Sequence, residues 1–310
     1  MEVVFASRNE HHPEDWVRAF QQALPGIRVR AWDDGAAAGG ADVAVVWSPP
    51  ADLFEREPGL KILFNLGAGV DALLKMPGRP ATLPIVRLED GGMGVQMAEY
   101  VLHFLVRYAR HFAQYGQLQA KGQWQRLEDI RREDWTVGIM GAGVIGARIA
   151  QAVAAFDYPV AVWSRSGRPI EGTQVYGGSE ALPAFLARTR VLVNVLPLTA
   201  QTHGILCRQV FDQMPRGGYL INIARGGHLI EADLLAALQE GQLQGAVLDV
   251  FAQEPLPAGH AFWAHPRIQM TPHMAGVSLK NQTVRQIADK IQAFYRGEAI
   301  SGLINPDLQY

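Results

Sequence analysis

VGIMGAGVIGARIA, residues 137–150, reads as a strand that breaks into a tight turn and re-forms as a helix. The apolar run ends at Gly141, and Gly143 and Gly146 complete a G-x-G-x-x-G. Val144, Ile145, Ile149 and Ala150 then recur at helical spacing. Each glycine has its own physical reason: Gly141 permits the turn, Gly143 lets a pyrophosphate approach the backbone, and Gly146 lets the helix pack close to the sheet. The phosphates of a dinucleotide would then meet unpaired amides at the helix start. Gly141, Ala142, Gly143, Val144, Ile145 and Gly146 are therefore candidate cofactor-binding residues. A G-x-G-x-x-G arises by chance in a chain with 32 glycines. The strand before it and the helix after it carry the reading.

Working outward, short apolar runs alternate with helical patterns on both sides. Strands are expected near 2–6, 27–32, 42–47, 60–67 and 83–88, then at 137–140, 160–163, 191–195, 219–223, 246–250 and 268–270. A helix start is expected at His11–Asp15, where Pro13 and two acidic residues suit a first turn. Gly and Ala at 35–40 read as a loop. Long helices are expected over 95–112 and 278–295, and others over 144–156, 180–187, 203–211 and 231–240. Residues 114–133 read as an arm or irregular connection carrying Trp124. Alternation of this kind predicts an α/β fold with mostly parallel, doubly wound sheets. The glycines at 91, 92 and 94 read as a joint, and the last helix as a return crossing. The expected domains are 1–94 together with 280–310, and 95–279.

The totals narrow the function. A net charge of -2 with no long basic run gives no support to nucleic acid as the main partner. The lone Cys207 excludes an intrachain disulfide framework and fits a reducing, cytoplasmic compartment. It lies in a helix-like stretch where core packing is the expected role. The N-terminus is too short and too acidic for a signal peptide, and no apolar run is long enough to span a membrane.

Cofactor choice is read from VAVWSRSGR, 160–168. A site for NADH carries a carboxylate on the ribose about 20 residues beyond the glycine turn. Here Ser164, Arg165 and Ser166 stand there instead, with Arg168 nearby. An arginine holds a 2′-phosphate that a carboxylate would repel. NADPH is thus preferred, with NADH possible, and Arg165 is the favoured contact over Arg168.

Arg225, Glu254 and His273 each follow an expected strand, where open α/β sheets bind ligands. Arginine clamps a carboxylate with two parallel hydrogen bonds. Histidine donates a proton to a carbonyl oxygen as hydride reaches the carbon. A buried glutamate beside the histidine would fix its tautomer and favour its protonated form. Taken singly, Glu254 also fits a solvated loop residue, His273 a structural or exposed one, and Arg225 a cap on the Gly226-Gly227 turn. Their shared placement suggests hydride transfer to a 2-oxo acid. No metal site is expected.

Six segments in order then resemble the NAD(P)-dependent D-isomer-specific 2-hydroxyacid dehydrogenases: NLGAGVDAL (65–73), VGIMGAGVIG (137–146), VLVNVLPLTAQTHGIL (191–206), GGYLINIARGGHLIEADLLAAL (217–238), LDVFAQEPLP (248–257) and TPHMAG (271–276). The resemblance implies a flavodoxin-like catalytic domain beside the nucleotide-binding one. It assigns substrate orientation to Arg225, acid–base chemistry to His273 and the acidic partner to Glu254. It places the substrate carboxylate on the backbone of Leu66, Gly67, Ala68 and Gly69, with Trp47 lining the pocket. Pro197, Ala224 and Asp249 fall on cofactor-binding positions. The branch most similar to this chain reduces small 2-oxo acids such as glyoxylate and hydroxypyruvate with NADPH. Such proteins pair as homodimers through their nucleotide domains, and Trp124 is a candidate to reach a neighbouring subunit. A larger 2-keto acid as substrate, and a cofactor-binding sensor without turnover, remain open from the residues alone.

Overall fold

The computed structural model describes residues 1–8, 12–33 and 39–310. His11, in the expected helix start, and residues 35–38 of the expected Gly/Ala loop lie outside the described residues. The chain divides into two compact units, Met1–Gly92 with Ser278–Tyr310, and Met93–Val277.

The first unit contains β1 (Glu2–Ser7), α1 (Pro13–Ala23), β2 (Arg28–Ala31), β3 (Val43–Trp47), α2 (Leu53–Arg56), β4 (Ile62–Asn65), α3 (Asp71–Leu74) and β5 (Ile85–Val86). Its sheet runs β2-β1-β3-β4-β5 with every pair parallel. This is the flavodoxin order. Strands covered on both faces read as unbroken apolar runs, as in VVFA (3–6) and VAVV (43–46), all buried. The C-terminal helix returns to this unit and packs against α1. Lys280 lies over the Trp16 ring, and Gln292 donates to the Ala23 carbonyl.

The second unit opens with α4 (Met93–Ala109) and α5 (Phe112–Ala120). Its strands and helices then alternate: β6 (Val137–Met140), α6 (Val144–Ala154), β7 (Val160–Ser164), β8 (Gln174–Gly177), α7 (Leu182–Leu186), β9 (Val191–Asn194), α8 (Arg208–Phe211), β10 (Gly218–Asn222), α9 (Glu231–Gln239), β11 (Leu243–Leu248) and β12 (Ile268–Met270). The last helix of the chain, α10 (Lys280–Tyr295), belongs to the first unit. The seven-stranded sheet runs β12-β11-β10-β9-β6-β7-β8, all parallel. Strand order reverses between β6 and β9, the crevice where open α/β sheets bind dinucleotides. The core of this unit is built around Met140, Phe185, Leu192, Phe211, Leu220 and Leu248.

Several elements differ from the sequence reading. The expected helix over 203–211 shrinks to α8. Gly204 adopts a left-handed φ of 65°, and the Gly204 and Leu206 amides donate to the carbonyls of Gly227 and His228. The stretch pairs with a neighbouring loop instead of coiling, and Leu206 bridges Leu229. Cys207 caps α8 rather than lying in a helix, though it does pack against the core. The first part of the expected arm is helical, since α5 starts at Phe112 and runs to Ala120, and the Leu127 amide donates to the Tyr115 hydroxyl. Trp124 is fully exposed. The edge strand β8 was not expected, because QVYG has neither an apolar run nor buried residues.

Candidate active site

The glycine turn follows β6 directly. Gly141 has a φ of 120°, which side-chain-bearing residues rarely adopt. A Cβ on Gly146 would sit 2.0 Å from the Gly141 carbonyl oxygen, so the first turn of α6 closes on the strand end only because residue 146 is glycine. A Cβ on Gly143 would meet nothing within 4 Å. Sterics inside the chain therefore explain two of the glycines and leave the third facing open space. Gly143 is the N-cap of α6, and no side chain caps the helix. A cavity of about 310 Å³ opens there, lined by Ala142, Gly143, Val144, Gln151 and Arg168 among others. An open glycine backbone, an uncapped helix start and a cationic side chain fit a dinucleotide phosphate.

The residues after β7 divide their tasks. Ser164 is buried, and its Oγ accepts from the Gly167 amide 3.1 Å away, closing the turn. Arg165 and Ser166 are exposed at the strand end. Arg168, ranked second in the sequence, is the arginine that lines the cavity.

Glu254 and His273 follow adjacent strands, β11 and β12. His273 Nδ1 lies 2.7 Å from Glu254 Oε2, and Glu254 Oε1 accepts from the Phe251 amide at 2.9 Å. Both carboxylate oxygens are thus engaged, which fixes the rotamer that faces the imidazole. The pair is not buried, in contrast to the sequence expectation: the side chains are 46% and 35% exposed.

His273 has a left-handed φ of 53°, uncommon for a residue with a side chain. Asp249, 1% exposed, holds that conformation. Its Oδ1 accepts from the Thr271 hydroxyl (2.6 Å) and the Met274 amide (2.8 Å), its Oδ2 from the Ala275 amide (2.9 Å). Its backbone carbonyl accepts from the His273 amide at 2.8 Å. Tyr100 on α4 stands 2.5 Å from Thr271 Oγ1. Because the threonine proton is given to Asp249, the tyrosine donates. Burial, helped by the Asp249 charge and opposed by the bond to Thr271, raises the Tyr100 phenol well above its ordinary range, so it stays protonated. Any contact Asp249 makes with a cofactor comes in addition to these bonds.

Arg225 follows β10, beside β11 in the sheet. Its guanidinium donates to the Ala224 carbonyl at 2.7 Å. Gly226 packs so tightly on the Phe251 peptide that a Cβ would sit 1.8 Å from the Phe251 carbonyl carbon. The Arg225 loop therefore rests on the residue whose amide holds Glu254. Sequence reading missed Asn65, Tyr100, Asn194, Asn222, His228 and Thr271. A buried polar residue at the end of an apolar strand, as in ILFN, VLVN and GYLIN, was the available signal.

In the first unit, Asn65 Nδ2 donates to the carbonyls of Gly67 (2.9 Å) and Gly69 (2.8 Å) and bends residues 66–69 into a compact loop. The Leu66 amide is spent on the Val46 carbonyl. Amides that can serve a ligand in this loop therefore come from Gly67, Ala68 and Gly69. The Trp47 ring lies on Gly67, where a Cβ would come within 2.5 Å of it, and the indole stays 41% exposed. No cluster of metal-ligating side chains occurs among the described residues. No helix among them is long and apolar enough to cross a membrane.

A family profile described as D-isomer specific 2-hydroxyacid dehydrogenase, NAD binding domain, matches residues 102–275. The chain belongs to this dehydrogenase family. Glyoxylate/hydroxypyruvate reductase A of Serratia proteamaculans is 44% identical to this dehydrogenase over the full length of both chains. The enzyme of that name from Salmonella paratyphi B is 45% identical over 98% of each. Among solved structures, a D-isomer-specific 2-hydroxyacid dehydrogenase of Xanthobacter autotrophicus, in complex with NADPH and MES, superposes with a TM-score of 0.93. It shares 37% identity and covers 100% of this chain and 99% of its own. The NADPH-dependent glyoxylate/hydroxypyruvate reductase of Sinorhizobium meliloti, in complex with NADP and sulfate, has a TM-score of 0.92, 37% identity and the same coverage.

Proposed function

We propose that this dehydrogenase reduces small 2-oxo acids, glyoxylate and hydroxypyruvate foremost, to glycolate and D-glycerate with NADPH. The observation that carries the reading is the Glu254–His273 pair, 2.7 Å apart at neighbouring strand ends, in a chain that retains Arg225 and the open glycine turn. A protein that only sensed the cofactor would have no use for an oriented imidazole.

NADPH, when bound, supplies the hydride. Gly143, Val144, Ile145 and Gly146 hold its pyrophosphate on the start of α6 with Gly141 and Ala142 shaping the turn, and Arg165, Ser166 and Arg168 serve its 2′-phosphate. Ser164 sets the turn that presents them. Pro197, Ala224 and Asp249 form the wall on the nicotinamide side. The backbone at Gly67, Ala68 and Gly69 takes the substrate carboxylate, and Trp47 limits the size of the acid. Arg225 swings from the Ala224 carbonyl to the substrate, where its fork binds carboxylate and polarises the keto oxygen. His273 donates a proton to that oxygen from Nε2, because Nδ1 is engaged by Glu254. Glu254 holds the plane of the imidazole through its contact with Nδ1. The pairing of two copies through the second unit is part of the same reading, and sedimentation at micromolar concentration checks it.

Steady-state kinetics on glyoxylate, hydroxypyruvate, pyruvate and a branched 2-keto acid, each with NADPH and NADH, tests the proposal. The two small acids with NADPH are expected to give the highest kcat/KM. A preference for the branched acid would reassign the substrate, and cofactor binding without turnover of any acid would overturn the enzyme.

A further inference from the structure

Three fully buried polar side chains outside the catalytic set meet behind Arg225: Asn194, Asn222 and His228. Asn194 and Asn222 end the adjacent strands β9 and β10, and register pairs them directly. Asn194 Nδ2 donates to Asn222 Oδ1 at 3.0 Å. Both amides also shape the loops that follow: Asn194 Oδ1 accepts from the Leu196 amide (3.2 Å), Asn222 Oδ1 accepts a second bond from the Ala224 amide (3.3 Å), and Asn222 Nδ2 donates to the Arg225 carbonyl (3.2 Å).

His228 closes the circuit. Its Nδ1 lies 3.1 Å from the Arg225 carbonyl and its Nε2 3.2 Å from the Pro197 carbonyl. The Pro197 carbonyl also accepts the Thr202 hydroxyl at 2.6 Å. Through His228, whose two ring nitrogens each face a carbonyl, the ring Asn194–Asn222–Arg225–His228–Pro197 brings together the two loops that leave β9 and β10. Buried amides are costly to leave unpaired, so such a ring has few alternative arrangements. Gly226, jammed against Phe251, removes another freedom.

We infer that Asn194, Asn222 and His228 are positioning residues: they fix the Arg225 backbone, and so the origin of its side chain, relative to the Pro197 loop. This rests on the reading of Arg225 as the substrate-orienting residue. The guanidinium stands at the end of a long side chain, so a shift of its backbone is carried to the group that meets the substrate.

The test is a double-mutant cycle in the full-length protein between Asn222→Ala and Arg225→Lys, read as KM and kcat for glyoxylate with NADPH. Asn222→Ala is expected to raise KM about tenfold or more, with a smaller change in kcat and an NADPH Kd within about twofold of the parent. In the Arg225→Lys background the same substitution is expected to have little further effect, because the group it aims is already compromised. His228→Gln attacks the ring at its contact with the Pro197 loop and is expected to repeat the KM-against-kcat split; it carries the test if Asn222→Ala does not fold. Amide exchange at residues 224–228 is expected to accelerate in both variants. Effects that simply multiply, or an unchanged KM in a folded variant, would overturn the positioning role alone. A parent protein that turns over no 2-oxo acid would overturn the functional reading and the role with it.

Discussion

His273 shows how much one residue asks of its surroundings. Its ring nitrogen is engaged by Glu254 and its backbone is held left-handed by the Asp249 network. Replacing Glu254 by Gln keeps the size and loses the carboxylate that faces His273 Nδ1. Reduction of glyoxylate is expected to slow about tenfold or more, with NADPH binding unchanged, in paired kinetic and fluorescence titrations. Direction matters as well. Reduction consumes a proton from His273 and oxidation returns one, so raising the pH is expected to slow reduction and speed oxidation, as initial rates in both directions would show. An oxidation rate that fell with rising pH would contradict the acid–base role. At the cofactor, Arg168→Ala is expected to weaken NADPH about tenfold or more while leaving NADH nearly unchanged, the scale of a lost charge-assisted contact. The charged residues of the site were legible because each is a chemical outlier at a strand end. Asn194, Asn222 and His228 were not, because a buried amide among apolar strand residues looks like any other polar interruption until its partners on other strands are known.

At the scale of elements, the glycine turn and the return helix make separable claims. A methyl at Gly146 collides with the Gly141 carbonyl, whereas a methyl at Gly143 collides with nothing in the chain. Gly146→Ala is therefore expected to destabilise by about 1–3 kcal/mol, the range of overpacking. Gly143→Ala is expected to leave Tm nearly unchanged yet weaken NADPH about tenfold, or about 1.4 kcal/mol. Thermal melts and cofactor titrations of the pair separate the two roles. The return helix α10 is fastened by Lys290, whose ammonium lies 2.8 Å from Glu89 Oε2, with the Ser301 hydroxyl on the same oxygen. Burial alone would raise the Glu89 carboxyl, but these two bonds outweigh it and hold it below its ordinary value. A depressed carboxyl stabilises the fold above its unfolded value and loses that contribution as pH falls through the folded one. Glu89→Gln is thus expected to lower Tm at neutral pH and to narrow its gap from the parent as pH drops below about 4.5, the ordinary carboxyl value. The strands and long helices were readable as runs and periodicities. The segment 203–207 was not, since its amides are claimed by carbonyls of residues 227 and 228, a tertiary bond that outbids local helix formation.

For the whole molecule, the pattern of alternating strands and helices fixed the class of both sheets but not their order. Order emerges from which faces the helices cover: 2-1-3-4-5 in one unit, and reversal at β6 and β9 in the other. That reversal is what turns a common glycine motif into a crevice. Cofactor binding there must stabilise the second unit by linkage, by about 2.7 kcal/mol at a ligand concentration 100 times Kd. Scanning calorimetry of the full chain is expected to show its Tm rise by about 5–10 °C with saturating NADPH, and less with NADH at equal concentration.

The central claim is that His273, held by Glu254, delivers the proton that completes reduction of a small 2-oxo acid. Turnover of glyoxylate by His273→Ala, measured beside its NADPH Kd, tests it most directly. Turnover is expected to fall about 100-fold or more with Kd within about twofold of the parent. Undiminished turnover in that variant would contradict it.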